Sequence, residues 1–181
     1  MSRINPVDRE TTNDRLRKTF DAIQKQLGIV PNMMRTMAHS PAVLDAYLAF
    51  GGALHRGLLP ASLQEQIALT VAEVNACDYC LSAHSALGRG AGLSADDIAA
   101  GRDGRASDAK AAAALQFARA LIDRRGAVSE QDVARVRSAG FGDGEIAEII
   151  AHVGLNVFTN YFNRAVLTEI DFPLVTAGQL A

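Results

Sequence analysis

The sequence predicts an all-α fold of about eight or nine helices. Apolar side chains recur at spacings of three and four residues along most of the chain, which is the period of an amphipathic helix. No stretch alternates apolar and polar residues for long enough to indicate a strand. The apolar stripes follow serine, asparagine or aspartate and stop at glycine, the residues that favour helix starts and ends. Short connections between them are typical of a compact bundle.

Each helix has its own start signal. The first is expected to run from a cap at Asn13 to Gly28, and Pro31 then separates it from a short methionine-rich helix. The later helices are expected to begin near Ser40, Pro60, Cys77, Ser94, Ser107, Ser129 and Gly144. Residues 101–107, rich in glycine and charge, form the clearest loop. The last helix is expected to end near Leu167, before Pro173.

Length and charge limit the function. A chain of 181 residues is expected to form a single domain, residues 1–181, that buries about two-thirds of its unfolded surface. The net charge of −2 is spread along the chain, which indicates no nucleic acid and no membrane partner. No apolar run is long enough for a transmembrane helix, and the N-terminus lacks the apolar core of a signal peptide. We therefore expect a cytoplasmic protein.

Both cysteines lie in one short motif. Cys77 and Cys80 are followed by His84, which gives the pattern C-x-x-C-x-x-x-H. On a helix these positions share one face, and Cα atoms three residues apart lie roughly 5 Å from each other, within the range of a disulfide. A neighbouring histidine can stabilise a thiolate and make it nucleophilic near neutral pH. The motif predicts a redox-active dithiol, since a structural disulfide is rare in a reducing cytosol.

Around the cysteines the chain resembles the alkylhydroperoxidase D and carboxymuconolactone decarboxylase superfamily. The signature of that superfamily is a glutamate one helix upstream, here Glu65, followed by C-x-x-C-x-x-x-H. Residues 28–32, 156–163 and 168–173 further resemble its peroxidase-related subgroup. The resemblance covers about 28–173 and implies a multi-helix bundle like that of alkylhydroperoxidase D.

The resemblance also implies roles for individual residues. Cys80 matches the peroxidatic cysteine that attacks a hydroperoxide, and Cys77 matches the resolving cysteine. His84 and Glu65 match the proton relay. Tyr79 stands where the best-studied members carry a histidine between the cysteines. With an ordinary pKa of about 10, a tyrosine is a poor base near neutrality. We therefore expect either that His84 and Glu65 carry more of the proton transfer or that the peroxidase activity is weak.

The implied function is reduction of a hydroperoxide or disulfide substrate by a thiol-dependent oxidoreductase. No cofactor and no metal are implied, because an external dithiol, either a reductant protein or a small molecule, regenerates the enzyme. The decarboxylase branch typically lacks the C-x-x-C, so its presence argues against lactone decarboxylation. The apolar helix surfaces favour a homo-oligomer. The resemblance implies that it is a homotrimer or homohexamer, since members commonly assemble as trimers or paired trimers.

The motif residues have alternative interpretations. The cysteines can be two small buried side chains, or zinc ligands together with His84 and Glu65. His84 can be a core histidine. The pattern S-x-x-E at Ser62 and Glu65 is a capping box, in which the glutamate only binds backbone at a helix start. A helical oligomer that binds a small molecule or partner and retains vestigial chemistry is the corresponding alternative function.

A polar line marks the last predicted helix. His152, Asn156, Asn160 and Asn163 follow helical spacing on an otherwise apolar segment. Buried polar groups need hydrogen-bond partners, so one interpretation is a hydrogen-bonded helix interface, including one between subunits. The other is that His152, Asn156, Asn160 and Asn163 form a wall of the active-site pocket, together with Tyr79.

Overall fold

The computed structural model describes residues 2–178, which form nine α-helices and no strand. In chain order the helices are α1 Asp14–Leu27, α2 Asn32–Met37, α3 Pro41–His55, α4 Ala61–Val74, α5 Asp78–Gly90, α6 Ala95–Arg102, α7 Ala109–Asp123, α8 Glu130–Ser138 and α9 Asp143–Val166. The predicted all-α class is confirmed. None of these helices meets the length and hydropathy that a bilayer-spanning segment needs.

The helix ends follow the local signals in the sequence. The Asn13 side chain accepts a hydrogen bond from the backbone N–H of Leu16 at 3.0 Å, and Gly28 ends α1 with a φ of 78°. Ser94 and Ser129 each form a capping box with the aspartate three residues later. Each cap satisfies backbone donors that a helix start leaves free.

Helix α4 lies at the centre of the bundle and packs against α5, α6, α7 and α9. Its residues Ile67, Leu69, Thr70 and Val71 are completely buried, because neighbours surround the helix on several sides. A helix enclosed in this way is apolar around much of its circumference rather than along one stripe. The central position of α4 brings one of its faces against α5, the helix that carries the cysteine motif.

The core consists of two clusters of buried side chains. One joins α1, α2, α3, α5 and α6 with Leu69 and Ala72 of α4, and it includes both cysteines. The other joins α4, α7, α8 and α9 around Ile67, Leu115 and Ile149 and contains no cysteine. The redox motif therefore sits within the packed interior of one half of the bundle.

Candidate active site

A tight turn between α4 and α5 positions the cysteines. Ala76 has a φ of 49°, and the backbone N–H of Cys77 donates to the carbonyl of Ala72 at 3.0 Å. Asn75 is the residue at which α4 ends, and its side chain donates to Asn160 Oδ1 of α9 at 3.0 Å. A non-glycine residue in the left-handed region costs about 1 kcal/mol or more, so the surrounding contacts must hold this turn in place.

Cys77 and Cys80 are joined in a disulfide, with their Cα atoms 5.3 Å apart. Cys77 caps α5, and its Sγ accepts a hydrogen bond from the backbone N–H of Cys80 at 3.3 Å. The residues are 1% and 3% exposed. Free N–H groups and the helix dipole at this end of α5 favour a thiolate over a thiol after reduction.

His84 and Glu65 form a pair beside the disulfide. His84 Nδ1 lies 2.8 Å from Glu65 Oε2, so α4 and α5 each supply one member of the pair. The side chains are 22% and 21% exposed, so solvent reaches them. The carboxylate orients the ring of His84, which lies one helical turn beyond Cys80.

The capping interpretation of Glu65 is wrong. Helix α4 begins at Ala61 with Pro60 in the cap position, and no side chain caps it. Ser62 is therefore already inside the helix, where its hydroxyl cannot reach the backbone donor that a capping box uses. Glu65 lies more than one turn into α4, and its carboxylate instead binds His84.

Tyr79 is a packing residue in this structure. Its hydroxyl accepts a hydrogen bond from the backbone N–H of Met33 at 3.1 Å, and its ring meets Phe172 edge-on at 5.9 Å. Burial raises the pKa of Tyr79 far above its ordinary value and outweighs the effect of the Met33 N–H, which lowers it. The hydroxyl therefore stays protonated and braces the start of α2.

The polar line of α9 is buried within one chain. Asn156 donates to the backbone carbonyl of His152 at 2.9 Å, and Asn160 accepts from Asn75. All four members of the line, His152, Asn156, Asn160 and Asn163, are buried within the chain. The predicted helix interface is present, but its placement between subunits is wrong, because α4 and α5 of the same chain cover it.

Asn163 is the member of the polar line that contacts the motif directly, as the pocket interpretation of that line expects. Its Nδ2 lies 3.4 Å from Cys80 Sγ and 3.1 Å from Met33 Sδ. The helical spacing from Asn160 places Asn163 on the polar face, but it identifies no partner. The contact joins residues 83 positions apart, so only the packing of α9 against α5 creates it.

Two further titratable groups lie near the His84–Glu65 pair. Burial lowers the pKa of His152, opposed by the charges of Glu148 and Glu65, so its ring is neutral near pH 7. Burial, followed by the charge of Glu65, raises the pKa of Tyr47 to about 12. The charge of Glu65 therefore acts on the pKa of both His152 of α9 and Tyr47 of α3.

The segment after α9 crosses the start of α5. The backbone N–H of Val175 donates to Ser82 Oγ and that of Ala177 to Asp78 Oδ1, both at 2.9 Å. Phe172 and Val175 pack against the cluster that holds the cysteines. This segment helps to explain why the disulfide is so little exposed.

The ligands considered for zinc are otherwise engaged in this state. Cys77 and Cys80 form the disulfide, and His84 binds Glu65. Within residues 2–178, no group of three or more His, Cys, Asp or Glu side chains is arranged to hold a metal ion.

The chain is similar to known proteins in sequence and in fold. Residues 41–123 match the Carboxymuconolactone decarboxylase family. This range contains Glu65, both cysteines and His84. A peroxidase-related protein from Ralstonia eutropha JMP134, described as an alkylhydroperoxidase AhpD core, superposes with a TM-score of 0.84 at 27% identity, covering 94% of this chain and 92% of that one.

The chain is therefore similar to the alkylhydroperoxidase D and carboxymuconolactone decarboxylase superfamily, in sequence over residues 41–123 and in fold over most of its length. A peroxidase-related protein from Silicibacter sp. TM1040 is similar at a TM-score of 0.80 and 27% identity, over 94% of this chain and 91% of that one. The debrominase Bmp8 shares the fold at a TM-score of 0.79 and 22% identity, over 93% of this chain and 91% of its own. No curated protein matches the sequence.

Proposed function

We propose that this protein belongs to that superfamily and is a thiol-dependent oxidoreductase that reduces hydroperoxides or disulfides. The observation that carries the proposal is a disulfide at the start of α5 beside a hydrogen-bonded His84–Glu65 pair. A dithiol that closes without backbone rearrangement and a neighbouring acid–base pair are the parts that such a cycle requires. The likeness to peroxidase-related proteins supports the same class of chemistry.

The cycle begins at Cys80. Its thiolate attacks the terminal oxygen of the hydroperoxide, an S–O bond forms, and the O–O bond breaks. The electron pair leaves with the alkoxide, which takes a proton and departs as an alcohol. Cys80 is oxidised to a sulfenic acid that keeps the hydroxyl of the substrate. With a disulfide substrate, the same thiolate forms a mixed disulfide and releases a thiolate.

Cys77 completes the oxidation. Its sulfur attacks the sulfur of the sulfenic acid, the disulfide forms, and hydroxide leaves as water after protonation. An external dithiol then reduces the pair by exchange and restores both thiols. The sulfurs carry all the redox chemistry, so the proposal includes no cofactor and no metal. A reducing cytoplasm would supply the recycling thiols.

His84 and Glu65 are proposed to move the protons. The ring of His84 is oriented by Glu65 and lies one turn from Cys80, where it can take the thiol proton and later return a proton to the leaving alkoxide. The protonated Tyr79 takes no part in this transfer, because burial keeps its proton in place. The same proton relay would serve a disulfide substrate, because its leaving thiolate also requires a proton.

Thiol counting tests the proposal. After reduction and removal of the reductant, treatment with cumene hydroperoxide is expected to remove two thiols together, and a dithiol is expected to restore both. Cys80→Ser is expected to abolish turnover, because the attacking thiolate is gone. Cys77→Ser is expected to stop at sulfenic acid on Cys80, detectable by mass spectrometry after dimedone labelling.

The alternatives give different results. A binding protein with vestigial chemistry would keep both thiols after challenge with hydroperoxide and with disulfide. Single-turnover activity in Cys80→Ser, with loss in Cys77→Ser, would exchange the roles of the two cysteines. Bound zinc in the reduced, untagged protein, measured by elemental analysis, would support the metal-binding alternative instead.

We also propose a homotrimer or homohexamer. Helix α3 is strongly apolar, yet Leu44 is its only buried residue. Phe50 on this helix and Phe158 and Tyr161 on the adjacent α9 are exposed. Apolar surface of this kind marks interaction sites. Light scattering is expected to give a multiple of the chain mass of 19.2 kDa.

The variants Phe158→Asp and Leu27→Asp test which surface is involved. Phe158→Asp places a charge on the proposed interface and is expected to shift the mass toward that of one chain on dilution. Leu27→Asp places the same charge on an exposed position of α1 and is expected to leave the assembly unchanged. A wild-type mass of a single chain at micromolar concentration would contradict the oligomer.

A further inference from the structure

We propose that Asn163 is a catalytic residue that selects hydroperoxides over disulfides as the oxidant. Its amide N–H would stabilise the Cys80 thiolate, and its amide oxygen would accept a hydrogen bond from the O–H of the hydroperoxide. The inference rests on the proposed thiol function and narrows its substrate class. The amide N–H and the amide oxygen of this one buried side chain thus have separate roles.

The orientation of the Asn163 amide follows from its neighbours. Nδ2 faces Cys80 Sγ at 3.4 Å and Met33 Sδ at 3.1 Å. A thioether sulfur only accepts hydrogen bonds, so the nitrogen, with its two N–H groups, must point toward the sulfurs. An oxygen in that place would face the lone pairs of both sulfurs. The carbonyl therefore lies on the opposite side of the amide.

The N–H contact strengthens when the disulfide is reduced. A disulfide sulfur is a weak acceptor, whereas a thiolate is a charged one, and hydrogen bonds to charged acceptors are roughly twice as strong. Asn163 is 3% exposed, so little water competes for this bond. Its N–H consequently favours the reactive, ionised form of Cys80 over the thiol.

The carbonyl oxygen of Asn163 has no donor within residues 2–178. A buried acceptor without a partner costs roughly 1–3 kcal/mol, and such groups are rare in folded proteins. This acceptor shares one small amide group with the donor to Cys80. Because Oδ1 and Nδ2 are bonded to the same carbon, a hydroperoxide bound at Cys80 Sγ needs to extend past the N–H by only the width of the amide group for its O–H to satisfy Oδ1.

The proposed step balances with this assignment. The Cys80 thiolate attacks the terminal oxygen of R–O–O–H, and the electron pair of the O–O bond leaves with R–O⁻, which is protonated through His84. The hydroxyl hydrogen stays on the attacked oxygen, first in the hydroperoxide and then in the sulfenic acid. Asn163 Oδ1 accepts this hydrogen bond in both states, and the hydroxyl leaves as water when Cys77 closes the disulfide. A disulfide substrate offers no such donor.

Two oxidants separate this role from a structural one. Reduced protein is mixed with cumene hydroperoxide or with dipyridyl disulfide, and the second-order rates of thiol oxidation are compared. The thiolate fraction affects both rates and cancels in their ratio. Asn163→Leu removes donor and acceptor, so both rates are expected to fall, and the ratio of hydroperoxide to disulfide rate is expected to fall about tenfold further.

The variant Asn163→Asp keeps the shape and an acceptor but loses the donor. Both rates at pH 7 are expected to fall while their ratio stays near that of the wild type. In Asn163→Leu and Asn163→Asp, the alkylation of Cys80 by iodoacetamide is expected to shift to higher pH.

Thr159→Val is the matched control, because Thr159 is buried on the same helix and its hydroxyl bonds to the backbone of Asn156. It is expected to behave as the wild type.

Three results overturn the inference: an unchanged ratio in Asn163→Leu, an equal drop of the ratio in Asn163→Asp, or an unchanged alkylation profile in both variants. If the thermal midpoint shows that Asn163→Leu does not fold, the pH profile of Cys80 alkylation in Asn163→Asp decides the question alone. A wild type that reacts with dipyridyl disulfide but not with hydroperoxide overturns this inference and leaves the dithiol cycle intact. A wild type that reacts with neither overturns the proposed function itself.

Discussion

The starts of α4 and α8 carry the same local pattern, a serine followed three residues later by an acidic side chain, but they use it differently. At α8, Ser129 and Asp132 form a capping box, and Asp132 also binds Arg124 and Arg135. At α4, Pro60 holds the cap position and Glu65 binds His84. Because Glu65 does not cap a helix, its carboxylate is free to bind a side chain that is proposed to act in catalysis.

The difference arises from where each helix begins. Ser129 precedes α8 and has an extended backbone, so its hydroxyl faces the free N–H groups of the first turn. Ser62 follows the first residue of α4 and already has a place within the helix. The same four-residue pattern thus predicts a cap only when the serine lies outside the helix. This comparison separates a structural acid from a proposed catalytic one.

The largest expected effect is on turnover. Glu65→Gln is expected to reduce hydroperoxide turnover about 100-fold or more, because the carboxylate that orients the ring of His84 is lost. The free energy of unfolding is expected to change little, since Glu65 caps no helix. Turnover is measured under steady-state conditions with excess dithiol, and stability is measured by urea unfolding.

The matched variant is Asp132→Asn at α8. It is expected to lower the free energy of unfolding and to leave turnover unchanged, because Asp132 lies in the first turn of α8, outside the core cluster that holds the cysteines. Near-normal turnover in Glu65→Gln would remove the proton-transfer role of Glu65. A comparable loss of turnover in both variants would show that the effect is one of stability.

A smaller effect separates the two serines. Ser129→Ala is expected to cost about 1 kcal/mol in the free energy of unfolding, the usual loss for a helix cap. Ser62→Ala is expected to change it by less than about 0.5 kcal/mol, as for a surface substitution away from a cap. Urea unfolding of both variants in parallel measures the difference. Equal losses would mean that Ser62 contributes to the start of α4 after all.

The smallest expected effect is a dependence on pH. Hydrogen bonds from Ser129 hold the pKa of Asp132 well below its ordinary value, with help from Arg124 and Arg135. A lowered pKa in the folded state gives stability that is present above the unfolded value of about 3.9 and is lost as pH falls below it. The difference in unfolding free energy between wild type and Asp132→Asn is therefore expected to shrink from pH 7 to pH 3. A constant difference would contradict this assignment.

The fold could be predicted well because its signals are local. Asn13, Gly28, Ser94 and Ser129 each act on backbone groups within about four residues, so the sequence places the helix ends without knowledge of the packing. The C-x-x-C-x-x-x-H motif is local in the same sense, and its spacing correctly anticipated a Cys77–Cys80 disulfide.

The sequence by itself determined the all-α class, the approximate helix boundaries and the cysteine motif, since these depend on neighbours along the chain. Only the tertiary structure decided that Glu65 binds His84 and that Asn163 reaches Cys80, contacts that join residues 19 and 83 positions apart. The packing of α4, α5 and α9 also placed the polar line of α9 inside the chain rather than between subunits. Such contacts depend on how helices lie against each other in space, and a helical period identifies a face but not the partner that covers it.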